Sequence, residues 1–210
     1  MWSARNRTNS SEVAVKTIPR PAYSAGEISE SDVLRSVQSV RGVVRLIQSF
    51  TDPDNEILVM ELCEGKDLQC WNSNMSLNQT KQVVFDLLQC LCDVHRAGVS
   101  HRDVRLENVI VGPSGIEGKE KVTLIDFGSG VRDTEEACVD LHGLATIMSE
   151  LIAGVRCCSS EDPFAGFVPS ELVASDKVAL DLVTLLMSAT KESCEEVSTR
   201  ALDHAWFKSR

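Results

Sequence analysis

The sequence is short of basic residues. It has 21 Lys and Arg against 31 Asp and Glu, so the formal net charge is −10 and the pI is about 4.9. This balance disfavours a nucleic acid or an anionic membrane surface as the partner. The sequence also has no apolar run long enough to span a bilayer and no apolar signal-peptide core at its start, so we expect no membrane partner and no export.

Cysteine pairs of the C-x-x-C type are absent, although the sequence contains eight cysteines. Without an export signal, these side chains are better interpreted as reduced thiols of a cytoplasmic or nuclear protein than as disulfides. The remaining composition, with 43% hydrophobic and 25% charged residues, is that of one globular domain or of two lobes that share a core. This composition argues against disorder.

Two short polar motifs follow one another in the middle of the chain, each at the end of a strand-like run. The first is His-Arg-Asp-Val-Arg-Leu-Glu-Asn at residues 101–108, and the second is Asp-Phe-Gly at residues 126–128, directly after the apolar residues 122–125. Either motif alone is a weak signal. The two in this order resemble the catalytic loop H-R-D-x-x-x-x-N and the D-F-G motif of the eukaryotic protein kinase family.

The resemblance implies a phosphoryl-transfer site that works by positioning and charge stabilisation, with ATP and Mg²⁺ as cofactors. Asp103 would orient the attacking hydroxyl and accept its proton, and Asn108 and Asp126 would hold magnesium, a hard cation that takes oxygen ligands. Arg105 stands where serine/threonine kinases usually carry a lysine that faces the γ-phosphate, and the two side chains are not interchangeable at such close range. Glu107 matches the serine/threonine pattern rather than the tyrosine pattern.

Residues 13–16, Val-Ala-Val-Lys, alternate like a strand and resemble the V-A-I-K motif of the family. In that motif the alanine, here Ala14, packs on adenine, and the lysine, here Lys16, pairs with the α- and β-phosphates. A helix-like spacing follows over residues 29–38. Glu30 then falls where the family's helix αC carries the glutamate partner of the lysine. Glu30 is the favoured residue for this role and Glu27 is the alternative; an ordinary acid at a helix N-terminus is the other interpretation of Glu30.

Residues 60–68 resemble the kinase hinge, which binds the adenine ring. In this resemblance Met60 is the gatekeeper, and the Glu61 carbonyl and the Cys63 backbone face adenine. Asp67 lies where an acid meets the ribose or an arginine of the substrate. Glu107 and Asp67 together predict a protein substrate with basic residues upstream of its serine or threonine, in keeping with the net charge. Two solvated surface acids are the alternative.

The C-terminal half completes the resemblance, which covers residues 13–207. A capping box that begins at Ser76 predicts a long amphipathic helix. Residues 140–154 resemble helix αF of the family, in which the aspartate, here Asp140, holds the catalytic-loop backbone. Residues 201–207 resemble the final A-L-x-H-P-W-F of many kinases, with alanine in place of the proline.

The predicted fold class is α+β: a two-lobed, protein-kinase-like fold with a truncated small N-lobe sheet and a mostly helical C-lobe. Residues 1–60 would form a partial N-lobe with the family's third, fourth and fifth strands and helix αC. Residues 61–210 would form the C-lobe with the catalytic loop, the D-F-G motif and helix αF. Residues 42–46 and 125–130 are similar to the Pim serine/threonine kinases in particular, although the hinge lacks their proline.

Two features of the family are missing from the sequence. No G-x-G-x-x-G-x-V motif precedes residue 13, and the twelve residues there cannot hold both of the usual first strands. Only eleven residues, 129–139, stand between the D-F-G motif and Asp140, where the family places its activation segment, P+1 loop and A-P-E motif. A truncated gene model would produce both gaps.

These features of the sequence are compatible with three functions. The first is an ATP-dependent serine/threonine protein kinase, of full or reduced activity. The second is a pseudokinase, which binds nucleotide or a protein partner without turnover, and the two missing features and Arg105 support it. A small-molecule phosphotransferase is the weakest of the three, because the αF-like stretch and the final motif are those of protein kinases. The sequence predicts no particular oligomeric state.

Overall fold

The structure is a computed structural model, and it describes residues 2–5, 10–19, 28–71, 75–113, 120–153 and 176–208. Two residues of the sequence predictions, Glu27 and Gly154 at the end of the αF-like stretch, lie outside the described residues. Within the described ranges, none of the helices has the length and apolar character needed to cross a membrane.

The N-terminal part contains a four-stranded antiparallel sheet with the spatial order β1-β2-β4-β3. Its strands are β1 (Trp2–Arg5), β2 (Glu12–Pro19), β3 (Leu46–Thr51) and β4 (Asn55–Glu61). In β4, buried and half-buried residues alternate, as expected for a strand with one face on the core. The register places Ala14 opposite Met60 and Lys16 opposite Leu58, so the V-A-I-K-like motif lies beside the strand that leads into the hinge-like segment.

Strand β1 is not predicted from the sequence. It pairs with the outer edge of β2, with Trp2 opposite Val15 and Arg5 opposite Glu12. Most of β1 is exposed, and Arg5 approaches Glu12 at 3.8 Å. A four-residue exposed strand leaves no apolar alternation in the sequence, so the pattern contains no sign of it. The sheet therefore has one strand more than the three that the sequence predicts.

Helix α1 (Glu30–Ser36) packs against β3 of this sheet. It begins at Ser29, whose side-chain oxygen accepts a hydrogen bond from the Asp32 amide, as an N-cap residue does. Val33 and Leu34 are fully buried, and Glu30 is buried with them. The helix expected from the spacing over residues 29–38 is therefore confirmed.

Helix α3 (Leu77–Arg96) begins at the predicted capping box, in which Ser76 and Gln79 bond reciprocally. Its buried stripe contains apolar residues at helical spacing, among them Val83, Val84, Leu87, Leu88, Leu91 and Val94. Gly98 follows the helix with a φ of 79°, the left-handed conformation that glycine adopts without strain. The long amphipathic helix predicted after Ser76 is confirmed.

A second sheet, with the order β5-β6-β7, carries the two polar motifs of residues 101–108 and 126–128 at its ends. Its strands are β5 (Lys66–Asp67), β6 (Val109–Pro113) and β7 (Glu120–Leu124). Asn108 precedes β6 and Ile125 follows β7, and the Ile125 amide donates to the Asn108 carbonyl at 2.9 Å. The β6–β7 hairpin therefore brings the catalytic loop and the D-F-G motif side by side.

The helices described in the rest of the chain are α2 (Leu68–Trp71), α4 (Ala137–Ala153), α5 (Lys177–Met187), α6 (Cys194–Leu202) and α7 (Ala205–Lys208), with a 3₁₀ turn at Leu106–Asn108. Trp206 of α7 is fully buried, and its indole N–H donates to Asp176 Oδ2 at 3.2 Å. One core of buried apolar side chains runs from α1 and the first sheet through α3 to α7. This architecture confirms the predicted α+β fold class.

Candidate active site

The side chain of Lys16 lies between two carboxylates that come from distant parts of the chain. Its Nζ atom is 2.7 Å from Glu30 Oε2 of helix α1 and 2.7 Å from Asp126 Oδ1 of the D-F-G motif. Burial opposes the charged form of Lys16, but the two carboxylates outweigh burial and raise the pKa of Lys16 above its usual range. Lys16 is therefore a cation that ties helix α1 to the D-F-G motif.

The two carboxylates of this cluster differ in their electrostatics. Glu30 is buried, and its Oε1 atom has no hydrogen-bond partner among the described residues. Burial raises the pKa of Glu30 in spite of the attraction to Lys16. Burial also acts on Asp126, but the hydrogen bond with Lys16 outweighs it and the pKa of Asp126 is lowered. Asp126 is thus the more stable and the more accessible anion of the two.

Gly128 lies directly over this cluster. A Cβ atom at its position would lie 3.1 Å from Asp126 Oδ1, 3.3 Å from Glu30 Oε2 and 3.4 Å from Lys16 Nζ. The Gly128 amide also donates to Asp126 Oδ1 at 3.2 Å. A larger side chain at this position would crowd the ammonium and both carboxylates. This steric restriction explains why a glycine occupies the last position of the D-F-G motif in this chain.

Asp103 is held by Asn108, which lies in the 3₁₀ turn. The Asn108 Nδ2 atom donates to Asp103 Oδ2 at 2.7 Å and to the Asp103 carbonyl at 2.9 Å. Because the amide nitrogen faces Asp103, the side-chain oxygen of Asn108 is left as an acceptor. The pair presents an oriented carboxylate beside an amide oxygen.

Asp140, in the first turn of α4, anchors the catalytic loop. Its buried carboxylate accepts hydrogen bonds from the backbone amides of His101, at 2.8 Å, and Arg102, at 2.7 Å. The His95 Nε2 atom contacts the same carboxylate at 2.8 Å. These bonds accompany a φ of 67° at Arg102, which is uncommon for a residue other than glycine. The expectation that Asp140 holds the catalytic-loop backbone is confirmed.

His101 joins the catalytic loop to the D-F-G motif. Its ring packs edge-on against Phe127, with centroids 4.6 Å apart, and its Nε2 atom lies 3.0 Å from the Ile125 carbonyl. The Asp103 amide donates to Nδ1 at 3.2 Å, so Nδ1 is an acceptor and Nε2 carries the proton. Burial lowers the pKa of His101 despite the nearby Asp140, so the ring is neutral in the folded protein.

Arg105 and Glu107 form an exposed ion pair near Asp103. Arg105 Nε is 2.9 Å from Glu107 Oε2 and Arg105 Nη2 is 3.1 Å from Oε1, a bidentate arrangement. The hydrogen bond to Glu107 raises the pKa of Arg105. The Gln69 Nε2 atom also donates to Glu107 Oε1, at 3.0 Å. The residue expected to face the γ-phosphate and the residue expected to hold a substrate arginine therefore bind each other.

The residues predicted to bind adenine lie along β2, β4 and the segment after β4. Ala14 and Met60 are opposite each other in the register, and both are buried. The Glu61 amide donates to the Arg45 carbonyl at 2.9 Å. Cys63 is half-buried, and burial raises its pKa to about 11, so its thiol is neutral. The structure thus places two small or flexible apolar side chains side by side, next to the hinge-like segment.

Asp67 has a structural partner that the sequence does not predict. Its Oδ1 atom accepts a hydrogen bond from the Cys70 amide at 2.9 Å, so Asp67 caps the short helix α2. A side chain expected to meet the ribose or a substrate arginine is therefore already engaged within the protein.

Among the described residues, no cluster of three or more His, Cys, Asp and Glu side chains could hold a metal ion. A cation at this site would depend on the Asp126 carboxylate and the Asn108 side-chain oxygen, which lie at the two ends of the β6–β7 hairpin. These donors fit a hard divalent cation such as Mg²⁺, which is usually bound by one or two protein ligands together with phosphate oxygens and water.

The fold and this cluster are those of a protein kinase domain. The protein kinase domain family matches residues 1–149, more than half of the chain, and the chain belongs to this family. Serine/threonine-protein kinase 33 of Bos taurus is 29% identical over 162 residues, which cover 73% of this chain and 30% of that protein. Sperm motility kinase 2A of Mus musculus is 29% identical over 132 residues, 61% of this chain and 25% of that protein. The chain thus spans less than a third of the length of these relatives.

The contacts of the short segment after the D-F-G motif have no signal in the sequence. Ser100 and Val131 exchange both backbone hydrogen bonds, at 3.0 Å each. Arg102 Nε lies 2.7 Å from Glu136 Oε2. Such contacts depend on the tertiary path of a segment without periodicity. One feature of the sequence indicates that this segment runs close to the catalytic loop: only a few residues separate the D-F-G motif from Asp140.

Proposed function

We propose that this chain binds Mg²⁺-ATP and transfers the γ-phosphate to serine or threonine hydroxyls of protein substrates, with low activity. The observation that supports this proposal most directly is the position of Lys16, whose Nζ atom is 2.7 Å from both Glu30 and Asp126. Phosphoryl transfer depends mainly on positioned charges, and a held lysine beside a carboxylate that can bind magnesium is the core of such a site.

In this proposal the nucleotide binds against β2 and β4. Lys16 would bind the α- and β-phosphates, and Glu30 would keep the ammonium in place for them. Ala14 and Met60 would lie against the adenine ring, which their adjacent buried positions support. The backbone of residues 61–63 would pair with the edge of the ring. The ribose would meet the carboxylate of Asp67 in competition with the helix that Asp67 caps.

Asp126 and Asn108 would provide the protein oxygens for magnesium. Mg²⁺, when bound, would neutralise charge on the phosphate oxygens. Asp126 suits this role because its contact with Lys16 lowers its pKa and keeps the carboxylate ionised. Asn108 suits it because its nitrogen already faces Asp103, which leaves the side-chain oxygen as an acceptor.

Asp103 would orient the acceptor hydroxyl and take its proton as the new bond from the hydroxyl oxygen to the γ-phosphorus forms and the bond from that phosphorus to the bridging oxygen of ADP breaks, so that ADP leaves. Two hydrogen bonds from Asn108 hold the Asp103 side chain and carbonyl, and the Arg102 amide just before it is anchored by Asp140. Arg105 would face the γ-phosphate only after it leaves Glu107. This competition is one reason to expect low activity.

Proteins with basic residues upstream of the target serine or threonine are the proposed substrates. Glu107 and Asp67 are acids where a substrate arginine would bind, and the net charge of −10 attracts basic partners. Arg105 already occupies both oxygens of Glu107, so a substrate arginine has to displace it. We therefore expect a small preference for basic peptides.

The free cysteines and the net charge bear on the proposed cellular compartment and partners of the protein. The cysteines of the described residues are free, which suits the cytoplasm or the nucleus. The acidic net charge makes nucleic acid and anionic membranes poor partners, so neither is proposed.

A pseudokinase, which binds nucleotide or a partner protein without turnover, is the second candidate. One observation favours it. The segment between Gly128 and Asp140 is bonded to the catalytic loop through Val131 and to helix α1 through Arg132. Residues engaged in this way do not form a platform for the backbone of a substrate. Loss of that platform would affect transfer to proteins and spare nucleotide binding.

Nucleotide binding and peptide phosphorylation, measured on one preparation, separate the candidates. A ligand at about a hundred times its Kd stabilises the folded state by about 2.7 kcal/mol, so Mg²⁺-ATP should raise the melting temperature. A kinase shows this shift together with transfer that D103N removes. A pseudokinase shows the shift without transfer. A chain with neither shift nor transfer would contradict the proposal.

A further inference from the structure

Strand β3 (Leu46–Thr51) lies at an edge of the first sheet and pairs with β4 alone. Its sequence, Leu-Ile-Gln-Ser-Phe-Thr, contains no charged residue and no proline. Among the described residues, the backbone of residues 47–51 has no hydrogen bond outside the pairing with β4. Proteins usually protect such an edge with charges, proline or a covering element, because its open N–H and C=O groups can pair with another strand.

Two large apolar side chains of this edge strand are exposed. Ile47 is 40% exposed and Phe50 is 47% exposed. The other exposed large apolar residues of the described part each lie on a different part of the chain: Trp2, Ile28, Leu62, Leu77 and Val178. Single exposed apolar residues are normal, whereas a group of them marks a contact surface. On β3, exposed apolar side chains and open backbone groups occur together without a charge.

A β-bulge limits the part of this edge that can pair with another strand. The register with β4 shifts between Leu46 and Gln48, and the Leu46 amide donates to Gln38 Oε1 at 2.8 Å. Residues 48–51 then pair regularly with residues 56–59. Bulges and short edges both restrict pairing between sheets. A contact through β3 should therefore be weak.

Charges of opposite sign stand at the two ends of β3. The exposed Arg45 precedes the strand, and Asp52 and the exposed Asp54 follow it. When a strand pairs antiparallel with a copy of itself, its start lies beside the end of the copy. Arg45 of each copy would then lie beside the two acids of the other copy, whereas parallel pairing would bring like charges together. The strand is therefore complementary to itself in the antiparallel direction only.

We propose that β3 is an interface between two copies of this chain, which pair antiparallel about a two-fold axis. The two four-stranded sheets then form one continuous sheet. A two-fold interface uses the same surface of both copies, and a strand that is complementary to itself provides such a surface. With Ser49 next to the axis, Phe50 lies across from Gln48 of the other copy. The contact needs no nucleotide, so it does not rest on the proposed function.

Sedimentation of the full chain over a series of concentrations tests the proposal. We expect a monomer–dimer equilibrium with a Kd of about 10–100 μM, because the pairing edge is short. The net charge of −10 makes two copies repel each other, so the measurement uses about 0.15 M salt, where the Debye length is about 8 Å. A chain that stays monomeric at about 1 mM would overturn the proposal.

Variants of the edge show whether β3 forms the contact. F50S should weaken the dimer about tenfold or more, because a two-fold interface buries this side chain twice. L77S is the matched control, since Leu77 is 49% exposed and lies on helix α3, and its Kd should equal that of the wild type. Q48K places a charge on the exposed edge and should weaken the dimer about threefold or more, with an unchanged melting temperature. Wild-type Kd values for F50S and Q48K would overturn the proposal.

An exchange of charges tests the antiparallel direction. D54R places a second basic residue beside Arg45 of the other copy and should weaken the dimer about threefold. The double variant R45E/D54R restores opposite charges and should return the Kd to that of the wild type, which damage to the fold would not do. A double variant weaker than D54R would contradict antiparallel pairing.

Amide hydrogen exchange, measured below and above the Kd, locates the contact. Dimer formation should slow exchange of those amides of residues 47–51 that point away from β4. Strand β1, the other edge of the same sheet, ends in the charged Arg5 and is the internal control, so its exchange should not change. Slower exchange at β1 or on a helix, with β3 unchanged, would place the interface elsewhere and overturn the proposal.

Discussion

On the proposed nucleotide side of the site, Lys16 contacts Glu30 and Asp126 at 2.7 Å each, and the three groups come from separate parts of the fold. On the proposed substrate side, eleven residues connect Gly128 to Asp140, and Arg105 and Glu107 bind each other. The first side has charges that suit the phosphates of a nucleotide, whereas on the second side two residues proposed to meet phosphate and substrate are engaged with each other. If the proposed function holds, ATP binding and transfer to proteins depend on different residues and are separable.

The ion pairs on the two sides also differ in how much they contribute to the stability of the folded state. Glu30 is buried, and loss of the partner of a buried charge is strongly destabilising, by about 3–5 kcal/mol. Arg105 and Glu107 are exposed, and an exposed ion pair contributes only about 0–1 kcal/mol. Changes to the Lys16–Glu30 pair should therefore affect folding and binding together, whereas changes to the Arg105–Glu107 pair should affect substrate choice alone.

The largest effect should come from D103N. The variant keeps the shape of the side chain and removes the acceptor of the hydroxyl proton, so peptide phosphorylation should fall about 10²- to 10⁴-fold. The melting-temperature shift caused by Mg²⁺-ATP should stay, because Asp103 lies on the substrate side. Steady-state kinetics and thermal denaturation measure the two. Equal loss of both would show that the variant had damaged the fold, and undiminished transfer would remove Asp103 from the mechanism.

A smaller effect is expected at Gly143 of helix α4. A Cβ atom there would lie 2.5 Å from the Val104 carbonyl oxygen and 2.9 Å from Val104 Cβ, so G143A must push the catalytic loop. Overpacking of this kind costs about 1–3 kcal/mol, which denaturant unfolding measures. Transfer should fall more than Mg²⁺-ATP binding. T146A, on the same helix, is the control, and equal stability of G143A and T146A would disprove the close contact.

The pH dependence of stability should report on His101. Its folded pKa lies below the ordinary value of 6.5, so between these two values the unfolded chain binds a proton that the folded chain does not. Stability should therefore fall as the pH drops below 6.5, by up to about 1.4 kcal/mol per pH unit. H101N has no group that titrates in this range and should lose this part of the slope. Parallel curves for the wild type and H101N would contradict the assignment.

The smallest effect is expected from R105A. The change removes the Arg105 contacts of Glu107, so peptides with an arginine upstream of the serine should gain about threefold in kcat/KM over neutral peptides, within the range of one exposed pair. Global stability should change by less than about 1 kcal/mol. The double variant R105A/E107Q should lose the gain. If R105A has the same kcat/KM for basic and for neutral peptides, Glu107 does not contribute to recognition of the substrate arginine.

The nucleotide side was largely predictable from the sequence. The strand around Lys16, helix α1 after Ser29 and helix α3 after its capping box have periodic patterns and local start signals. The two motifs at residues 101–108 and 126–128 flank the β6–β7 hairpin, so their proximity follows from chain order.

The substrate side was not predictable in the same way. The pairing of Arg105 with Glu107 and the cap that Asp67 provides for α2 depend on side-chain directions, which sequence spacing does not define. The path of the segment between Gly128 and Asp140 depends on contacts with α1 that have no periodic pattern, such as the one from Arg132. Strand β1 is short and exposed, so it too left no pattern.

Mg²⁺-ATP binding, compared between the wild type and D126A, tests most directly the claim that the nucleotide side is functional while the substrate side is reduced. The wild type should show a melting-temperature shift that requires magnesium, and D126A should lose it. Peptide turnover by the same wild-type sample should lie below the value of about 1–100 per second that is usual for kinases. No shift at millimolar Mg²⁺-ATP, or a shift of equal size in D126A, would contradict the account.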